Sequence, residues 1–258
     1  MPRIESRMQG VKTVLASLLL ASLPVLSHAG QSDADASADT PTKVAACPDA
    51  MALVEGEYCT RVHQQCREWM EKPPPNHDGR CARFAPTECV GDRVTMRFCI
   101  DRDEYTAPGD TLPTNMASWT DARGVCESIG KRLCRETEWN FACEGEQMLP
   151  YPTGLVREHI LCNVDRLNLY DARGRPLDLR MKAAEVAGCV SPFGVRSLVG
   201  NVDEWVERDV TPGPWRSALK GGWWLAARNR CRPATTAHDE HYRDFQTGFR
   251  CCSDARTP

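Results

Sequence analysis

The sequence predicts an α+β domain that is rich in loops and stapled by disulfides. It contains 14 cysteines, an even number. Between Gly200 and Cys252, Trp, Gly, Arg and Cys recur without a helical or a strand period, which is typical of backbone held by turns and side-chain contacts. Two short helical patterns precede this stretch. We therefore expect short strands and helices joined by long irregular segments.

The N-terminus has the pattern of an export signal. Residues 1–29 combine basic residues, an apolar run over 14–25 and a small-x-Ala cleavage motif, as secretory signal peptides do. An uncleaved anchor is the alternative, but the run is too short for a bilayer core of about 30 Å. Residues 30–46 are polar and acidic, which predicts a disordered linker. The folded domain is expected over 47–258, with no membrane span in the mature chain.

Cysteine usage and charge limit the possible classes. In an exported chain, 14 cysteines predict up to seven disulfides and a periplasmic or extracellular location. Zinc is the alternative, but there is no Cys-x2-Cys pair, and His238 and His241 lack a thiol partner at zinc spacing, which favours a solvated loop. A net charge of −3 with scattered basic residues argues against nucleic acid as a partner.

Strands are predicted at both ends of the domain. A first strand over 47–54 is expected to end at Gly56, strand character resumes over 94–100, and a last strand covers 249–252. An insert at 57–97 has turn residues and few large apolar side chains, so we expect two disulfides among its own cysteines to hold it. Those cysteines are Cys59, Cys66, Cys81 and Cys89.

Two helices are predicted between these strands. Four side chains recur at i, i+3, i+4 and i+7: Ala122, Val125, Cys126 and Ile129. Ser118 or Thr120 can cap this first helix, and Gly130 ends it. A second helix is predicted over Glu136–Cys143, with acidic residues in its first turn and Gly145 after its end.

Four segments resemble, in order, motifs of one family: Cys126–Cys143, Gly200–Val206, Lys220–Trp224 and Gly248–Cys252. This is the formylglycine-generating enzyme, or sulfatase-modifying factor, family. Its members carry Gly-Asn-Val-x-Glu-Trp, Arg/Lys-Gly-Gly-Ser-Trp and Gly-Phe-Arg in the last three. The resemblance covers residues 51–252 and implies a loop-rich variant of the C-type-lectin fold.

The resemblance also implies a chemistry, for which this chain has an incomplete set of metal ligands. In the family's enzymes, O2 oxidises a cysteine of a sulfatase peptide to formylglycine, and two thiolates spaced Cys-x4-Cys bind Cu(I), which soft sulfur ligands select. Counted from Gly222, these positions are Ala226 and Cys231. Trp223 stands where catalytic members have Ser. The copper site is therefore incomplete, with Cys231 as the candidate catalytic residue.

A second alignment gives Cys231 a structural role. Counted back from Gly248, Cys231 matches a family cysteine that forms a disulfide with the second helix, here Cys143. The family pattern also pairs Cys126 with Cys251. The copper and disulfide interpretations of Cys231 both stay open at this point.

Calcium is the other cofactor that the resemblance implies. Asn201 and Glu204 lie three residues apart on a turn, where an amide oxygen and a carboxylate can converge on a hard cation. Members of the family bind calcium at this motif and at a loop resembling Asn163-Val164. The alternative is that Asn201 hydrogen-bonds backbone and Glu204 pairs with an arginine.

The residues that we expect to bind a ligand flank the Gly-Gly motif: Trp223, Trp224, Arg228 and Arg230. Guanidinium groups recognise carboxylates, and aromatic rings offer contact area. Buried core and ion pairs are the alternatives. The sequence thus predicts an exported family protein with a cleft for a polypeptide or small molecule. The alternatives are an active formylglycine-generating oxidoreductase and a non-catalytic, lectin-like binding or structural module.

Overall fold

The computed structural model describes residues 45–71, 79–227 and 229–257. The predicted signal peptide and most of the predicted linker lie outside the described residues. Within the described part of the chain, no helix is long and apolar enough to cross a membrane.

Regular structure comprises twelve short strands and two helices along the described chain. In chain order they are β1 (Met51–Cys59), β2 (Val62–His63), β3 (Cys66–Trp69), β4 (Cys81–Phe84), β5 (Glu88–Cys89), β6 (Arg93–Asp101), α1 (Trp119–Ser128), β7 (Arg132–Leu133), α2 (Glu136–Glu144), β8 (Asp203–Glu207), β9 (Ser217–Lys220), β10 (Ala234–Thr235), β11 (Thr247–Phe249) and β12 (Cys251–Asp254). The predicted α+β, loop-rich class is confirmed.

The strands of the C-terminal segment are divided between two four-stranded sheets. The first has the order β1-β6-β12-β7 and is antiparallel throughout. The second has the order β10-β9-β8-β11, in which β8 and β11 are parallel. Arg250 alone separates β11 from β12, so the chain passes from one sheet to the other at this residue. The predicted strand over 249–252 is therefore two strands.

The first strand begins and ends later than the predicted 47–54, because residues 47–50 lie outside it, and the insert is shorter than predicted. β1 pairs with β6 in unbroken register from Met51 opposite Asp101 to Cys59 opposite Arg93. Gly56 does not end the strand, because it lies opposite Met96 within this register. The insert therefore covers 60–92 rather than 57–97.

The insert holds two strand pairs, β2-β5 and β3-β4. The Cys66–Cys81 bridge joins β3 to β4, and the Cys59–Cys89 bridge joins β5 to the end of β1. The four cysteines thus bond among themselves as expected. Phe84 of β4 packs on Tyr151 of the main domain, with ring centroids 5.8 Å apart. The insert is therefore attached to the domain as well as crosslinked internally.

Both helices lie where the sequence predicts them, with caps of different kinds. Ser118 caps α1: its Oγ accepts from the Asp121 N–H at 3.1 Å, and the Asp121 carboxylate accepts from the Ser118 N–H at 3.0 Å. The side chain of Arg135 does not cap α2. Asp209, distant in sequence, accepts from the Thr137 N–H at 3.0 Å instead. A tertiary contact thus replaces a local cap.

The core forms around α2 and the strands beside it. Eight of the nine residues of α2 are buried, and its Trp139 and Phe141 belong to a cluster with residues of β1 and β6. A second cluster joins α1 to β8 and β11 through Trp119, Trp205 and Phe249. The candidate site lies at the start of β8 and the end of β9, next to both clusters.

Seven disulfides use all 14 cysteines. Five lie outside the insert: Cys47–Cys99, Cys126–Cys251, Cys134–Cys252, Cys143–Cys231 and Cys162–Cys189. Four of these bridges tie α1, α2, β7 or the 162–189 loop into the core, which supplements a domain with little regular structure.

We predict that removal of the Cys66–Cys81 bridge loosens the insert locally. The bridge spans 15 residues, and closing a loop of that length stabilises by about 3 kcal/mol. The Cys66→Ser/Cys81→Ser variant should show faster amide hydrogen exchange in 62–89 with little change in the melting temperature of the domain.

The matched control is Cys126→Ser/Cys251→Ser, which removes a fully buried bridge between α1 and β12. This variant should lower the melting temperature of the whole domain. Equal lowering by both variants would contradict local unfolding of the insert.

Candidate functional site

A cavity of about 140 Å³ opens where β8 begins and β9 ends. Asp203, Gly222, Trp223, Asn229 and Arg230 line it. We call it the cleft. It contains two of the predicted ligand residues and combines a carboxylate, an amide, a guanidinium and an aromatic ring, which can bind a ligand with both polar and apolar parts.

The Gly-Gly motif shapes one wall of the cleft. Gly221 and Gly222 have φ of 81° and 71°, in the region that glycine tolerates best. A Cβ on Gly221 would lie 2.5 Å from the Leu198 carbonyl oxygen, and one on Gly222 would lie 2.5 Å from the Asn229 side-chain nitrogen. The turn after β9 therefore requires glycine at both positions.

The two tryptophans after this turn have different roles. Trp224 is 1% exposed and belongs to the core, whereas Trp223 is half-buried and lines the cleft. Both rings contact Phe245, at centroid distances of 5.2 Å for Trp223 and 5.9 Å for Trp224. The core alternative thus describes Trp224, and Trp223 forms the aromatic wall.

Arg230 is the predicted ligand-binding arginine that lies in the cleft, and Arg228 lies outside the described residues. The guanidinium carbon of Arg230 sits 5.3 Å from the centroid of the Phe84 ring, a cation–π distance. Because Phe84 belongs to β4, the insert contributes to the orientation of a residue that lines the cleft.

Arg157 clamps the loop that follows the Gly-Gly motif. Its buried guanidinium donates to the carbonyl oxygens of Ala227 at 2.8 Å and Asn229 at 3.3 Å. Asp165 binds the same guanidinium through two contacts of 2.8 Å. Although burial acts to raise it, hydrogen bonds from Arg157 and Arg80 hold the pKa of Asp165 below its ordinary value. The loop is therefore fixed by a charged, bidentate contact.

The insert reaches this clamp as well. Arg80 donates to Asp165 at 3.1 Å and to Glu71 at 2.6 Å. The Arg157 N–H donates to the Ala82 carbonyl oxygen of β4 at 3.0 Å. Insert, clamp and cleft loop thus form one connected network.

The two cysteine positions of the family's copper site contain no thiol. Ala226 occupies the first, and Cys231 is fully buried and bonded to Cys143, with a Cα–Cα distance of 5.5 Å. All 14 cysteines lie within the described residues and form disulfides. The donor set therefore does not fit Cu(I), because bridged sulfur offers no thiolate.

Glu204 pairs with an arginine, as the alternative to calcium binding proposed. Its two oxygens accept from Arg250, at 2.6 Å from Nη2 and 2.7 Å from Nε, and Trp139 Nε1 donates to it at 2.7 Å. The side chains of both ion-pair partners are at most 1% exposed. The carboxylate is thus fully engaged with donors.

Asn201 and Asn163 are hydrogen-bonded to each other rather than to Glu204. Asn201 Oδ1 accepts from Asn163 Nδ2 at 2.9 Å and from the Met181 N–H at 2.8 Å. Asn163 Oδ1 accepts from Arg166 at 2.8 Å. Because donors already occupy these oxygens, the arrangement does not fit a calcium ion. Calcium binding stays a prediction of the family resemblance.

A second carboxylate near this turn, Glu104, was not predicted from the sequence. Glu104 accepts from Asn201 Nδ2 at 2.6 Å and from the Val202 N–H at 3.1 Å. Burial, with the neighbouring Glu204 carboxylate, raises the pKa of Glu104 to about 8, against opposing contributions from Arg250 and these hydrogen bonds. Arg157 and Asp165 were also missed, because no local motif marks them.

We predict that Asp165→Asn destabilises the protein and loosens the cleft loop. The substitution leaves Arg157, whose side chain is 3% exposed, without its counter-ion, and breaking such a buried pair costs roughly 3 kcal/mol. Amide exchange over 226–229 should rise. The matched control is Asp178→Asn. Asp178 pairs with Arg180, but its carboxylate is 48% exposed, so the loss of this pair should lower the free energy of unfolding by about 1 kcal/mol or less.

Acid should remove the difference in the free energy of unfolding between the Asp165→Asn variant and the unsubstituted protein. Because the folded-state pKa of Asp165 is lowered, its stabilisation is present above an unfolded pKa of about 3.9 and is lost as pH falls through the folded value. In urea unfolding, the free energies of unfolding of the two proteins should differ by a constant amount above about pH 5, and this gap should disappear in stronger acid. A pH-independent gap would contradict the ion-pair account.

Comparison with known proteins is consistent with this geometry. A sequence profile described as a sulfatase-modifying factor enzyme 1-like domain matches residues 39–255. The chain is 32% identical over 169 residues to the inactive C-alpha-formylglycine-generating enzyme 2 of Bos taurus, covering 57% of this chain and 52% of that protein. It is 27% identical over 164 residues to the formylglycine-generating enzyme of Mus musculus, covering 55% and 44%.

The fold has a counterpart among solved structures. The crystal structure of CarF superimposes with a TM-score of 0.55 at 13% identity, over 80% of this chain and 98% of that chain. The chain spans about half the length of the curated relatives it matches. With its profile match over most of the chain and its loop-rich, lectin-like α+β fold, the chain belongs to the formylglycine-generating enzyme, or sulfatase-modifying factor, family.

Proposed function

We propose that the chain is an exported member of the family whose cleft binds a polypeptide or a small molecule, and that it does not form formylglycine by the copper-dependent route. One observation carries the proposal: Cys231 is bonded to Cys143. The chemistry requires two thiolates to hold Cu(I), and the first position is Ala226.

Two further features support a non-catalytic role. Trp223 stands where the catalytic members have a serine, and its half-buried ring lines the cleft, so a hydroxyl is replaced by a large apolar surface. One similar protein is named an inactive formylglycine-generating enzyme. Loss of the family's oxidation chemistry with retention of its scaffold fits both features.

The lining of the cleft supports a ligand of mixed character. Asp203, Asn229 and Arg230 offer acceptors and donors beside the Trp223 ring. A volume of about 140 Å³ equals about five water molecules in the liquid, which suits one side chain of a polypeptide or a small molecule. The clamp through Arg157 keeps the loop in place before a ligand arrives, which lowers the entropy cost of binding.

Export is supported by the cysteine pattern. Seven disulfides in one domain form and persist in oxidising compartments, and residues 1–29 have the composition of a secretory signal. A periplasmic or extracellular location is therefore part of the proposal.

We predict that the purified protein does not convert a Cys-x-Pro-x-Arg sulfatase peptide to formylglycine, even with copper supplied. The reason is that neither thiolate of the required pair exists. The measurement is mass spectrometry of the peptide after incubation, run beside a copper titration, and the substrate cysteine should keep its mass.

The matched variant is Ala226→Cys/Cys143→Ser, which provides a thiol at each of the two family positions. If the sulfur ligands are what this chain lacks, the variant should bind about one Cu(I) per chain, whereas the unsubstituted protein should bind none at this site. Turnover by the unsubstituted protein with stoichiometric copper uptake would overturn the proposal in favour of an active oxidoreductase.

A further inference from the structure

A second cavity, of about 210 Å³, lies apart from the cleft and shares none of its lining residues. Four arginines from three regions of the chain line it, together with two glutamates. They are Arg123 of α1, Arg132 of β7, Arg135 before α2, Arg216 before β9, Glu127 and Glu207. We call it the arginine cavity. Its lining side chains carry more positive than negative charge.

Three of these arginines have donors to spare. Arg123 donates to Glu127 through Nε alone, at 2.7 Å. Arg216 donates to one oxygen of Glu207 through Nε at 3.3 Å and Nη2 at 3.0 Å. Among the described residues, the exposed guanidinium of Arg135 makes no ion pair. Because a guanidinium carries five N–H groups, several donors in this cavity remain for a ligand.

Arg132 plays a different part. It binds the Glu138 carboxylate through two contacts, of 2.6 Å and 2.7 Å, and Asp254 at 3.0 Å. These bonds occupy its fork, so Arg132 forms a fixed wall rather than a donor to a ligand.

Trp119 holds two of the available arginines in position. The guanidinium carbons of Arg123 and Arg216 lie 5.6 Å and 5.2 Å from the centroid of its ring. The ring itself is buried, and its Nε1 donates to the Val206 carbonyl oxygen at 3.1 Å. A fixed aromatic face thus orients two cations from different elements, which reduces the cost of ordering them around a ligand.

We propose that the arginine cavity binds the oxyanion of a phosphate or sulfate monoester. Three guanidinium groups that approach from three elements match an anion with several oxygens in a tetrahedral arrangement, whereas a carboxylate matches the fork of a single arginine. The volume equals about seven water molecules, more than the five heavy atoms of a phosphate group. Part of the esterified group can therefore enter with the oxyanion.

The test is calorimetric titration of the full protein at low ionic strength with phenyl phosphate, phenyl sulfate and benzoate. At least one of the two esters should bind in a 1:1 ratio, and benzoate should bind at least about tenfold more weakly. A phosphate ester gains its second charge near pH 6. Tighter binding of phenyl phosphate at pH 8 than at pH 5 assigns a phosphate ligand, and preference for phenyl sulfate at both values assigns a sulfate ligand.

Two variants decide whether this cavity is the site. Arg135→Gln removes a guanidinium without breaking an ion pair and should weaken ester binding by about tenfold or more, as expected for a lost charge-assisted contact. Arg83→Gln, an exposed arginine of the insert paired with Glu68, should leave binding unchanged. No binding by either ester at millimolar concentration, equal binding of benzoate, or equal loss in both variants would overturn the proposal.

Discussion

The buried ion pair between Glu204 and Arg250 joins the two sheets at the residue where the chain passes from one to the other. Glu204 lies on β8 of one sheet, and Arg250 is the single residue between the strand of that sheet and the strand of the other. Arg250 also donates to the carbonyl oxygens of Asp101 and Arg196, at 3.1 Å and 2.9 Å. Two desolvated charges tolerate burial only when they are fully partnered. The Gly-Asn-Val-x-Glu-Trp and Gly-Phe-Arg motifs thus each supply one partner of the same buried ion pair.

The cleft lies beside this junction, since Asp203 precedes Glu204 on β8, and a second set of long-range contacts shapes it. Gly221 and Gly222 turn the chain after β9, and the Arg157–Asp165 pair fixes the loop that follows. The Cys143–Cys231 bridge ties the end of that loop to α2. In place of two thiols, the cleft loop thus carries one alanine and one structural disulfide. The loop after the Gly-Gly motif thus lines a cavity that contains no free thiol.

Much of the fold is predictable from sequence where the determinants are local. Ser118 and Gly130 mark α1, and the ordered motifs identify the fold. The prediction failed at Gly56, where a glycine lies within a strand rather than after it. The contact by which Asp209 caps α2 at the Thr137 N–H could not be predicted, because the two residues are far apart in the sequence. In the site, Trp223 and Arg230 were predictable from motif position. Arg157, Asp165 and Glu104 were not, since only the folded chain brings them to their partners.

The central claim is that Cys231 is a bridged structural cysteine rather than a metal ligand. The most direct test is alkylation of the purified, unreduced protein under denaturing conditions, followed by proteolysis and mass spectrometry. The account predicts no alkylated cysteine and a crosslinked peptide that contains Cys143 and Cys231. An alkylated Cys231, with Cys143 also free or bonded to another cysteine, would contradict it.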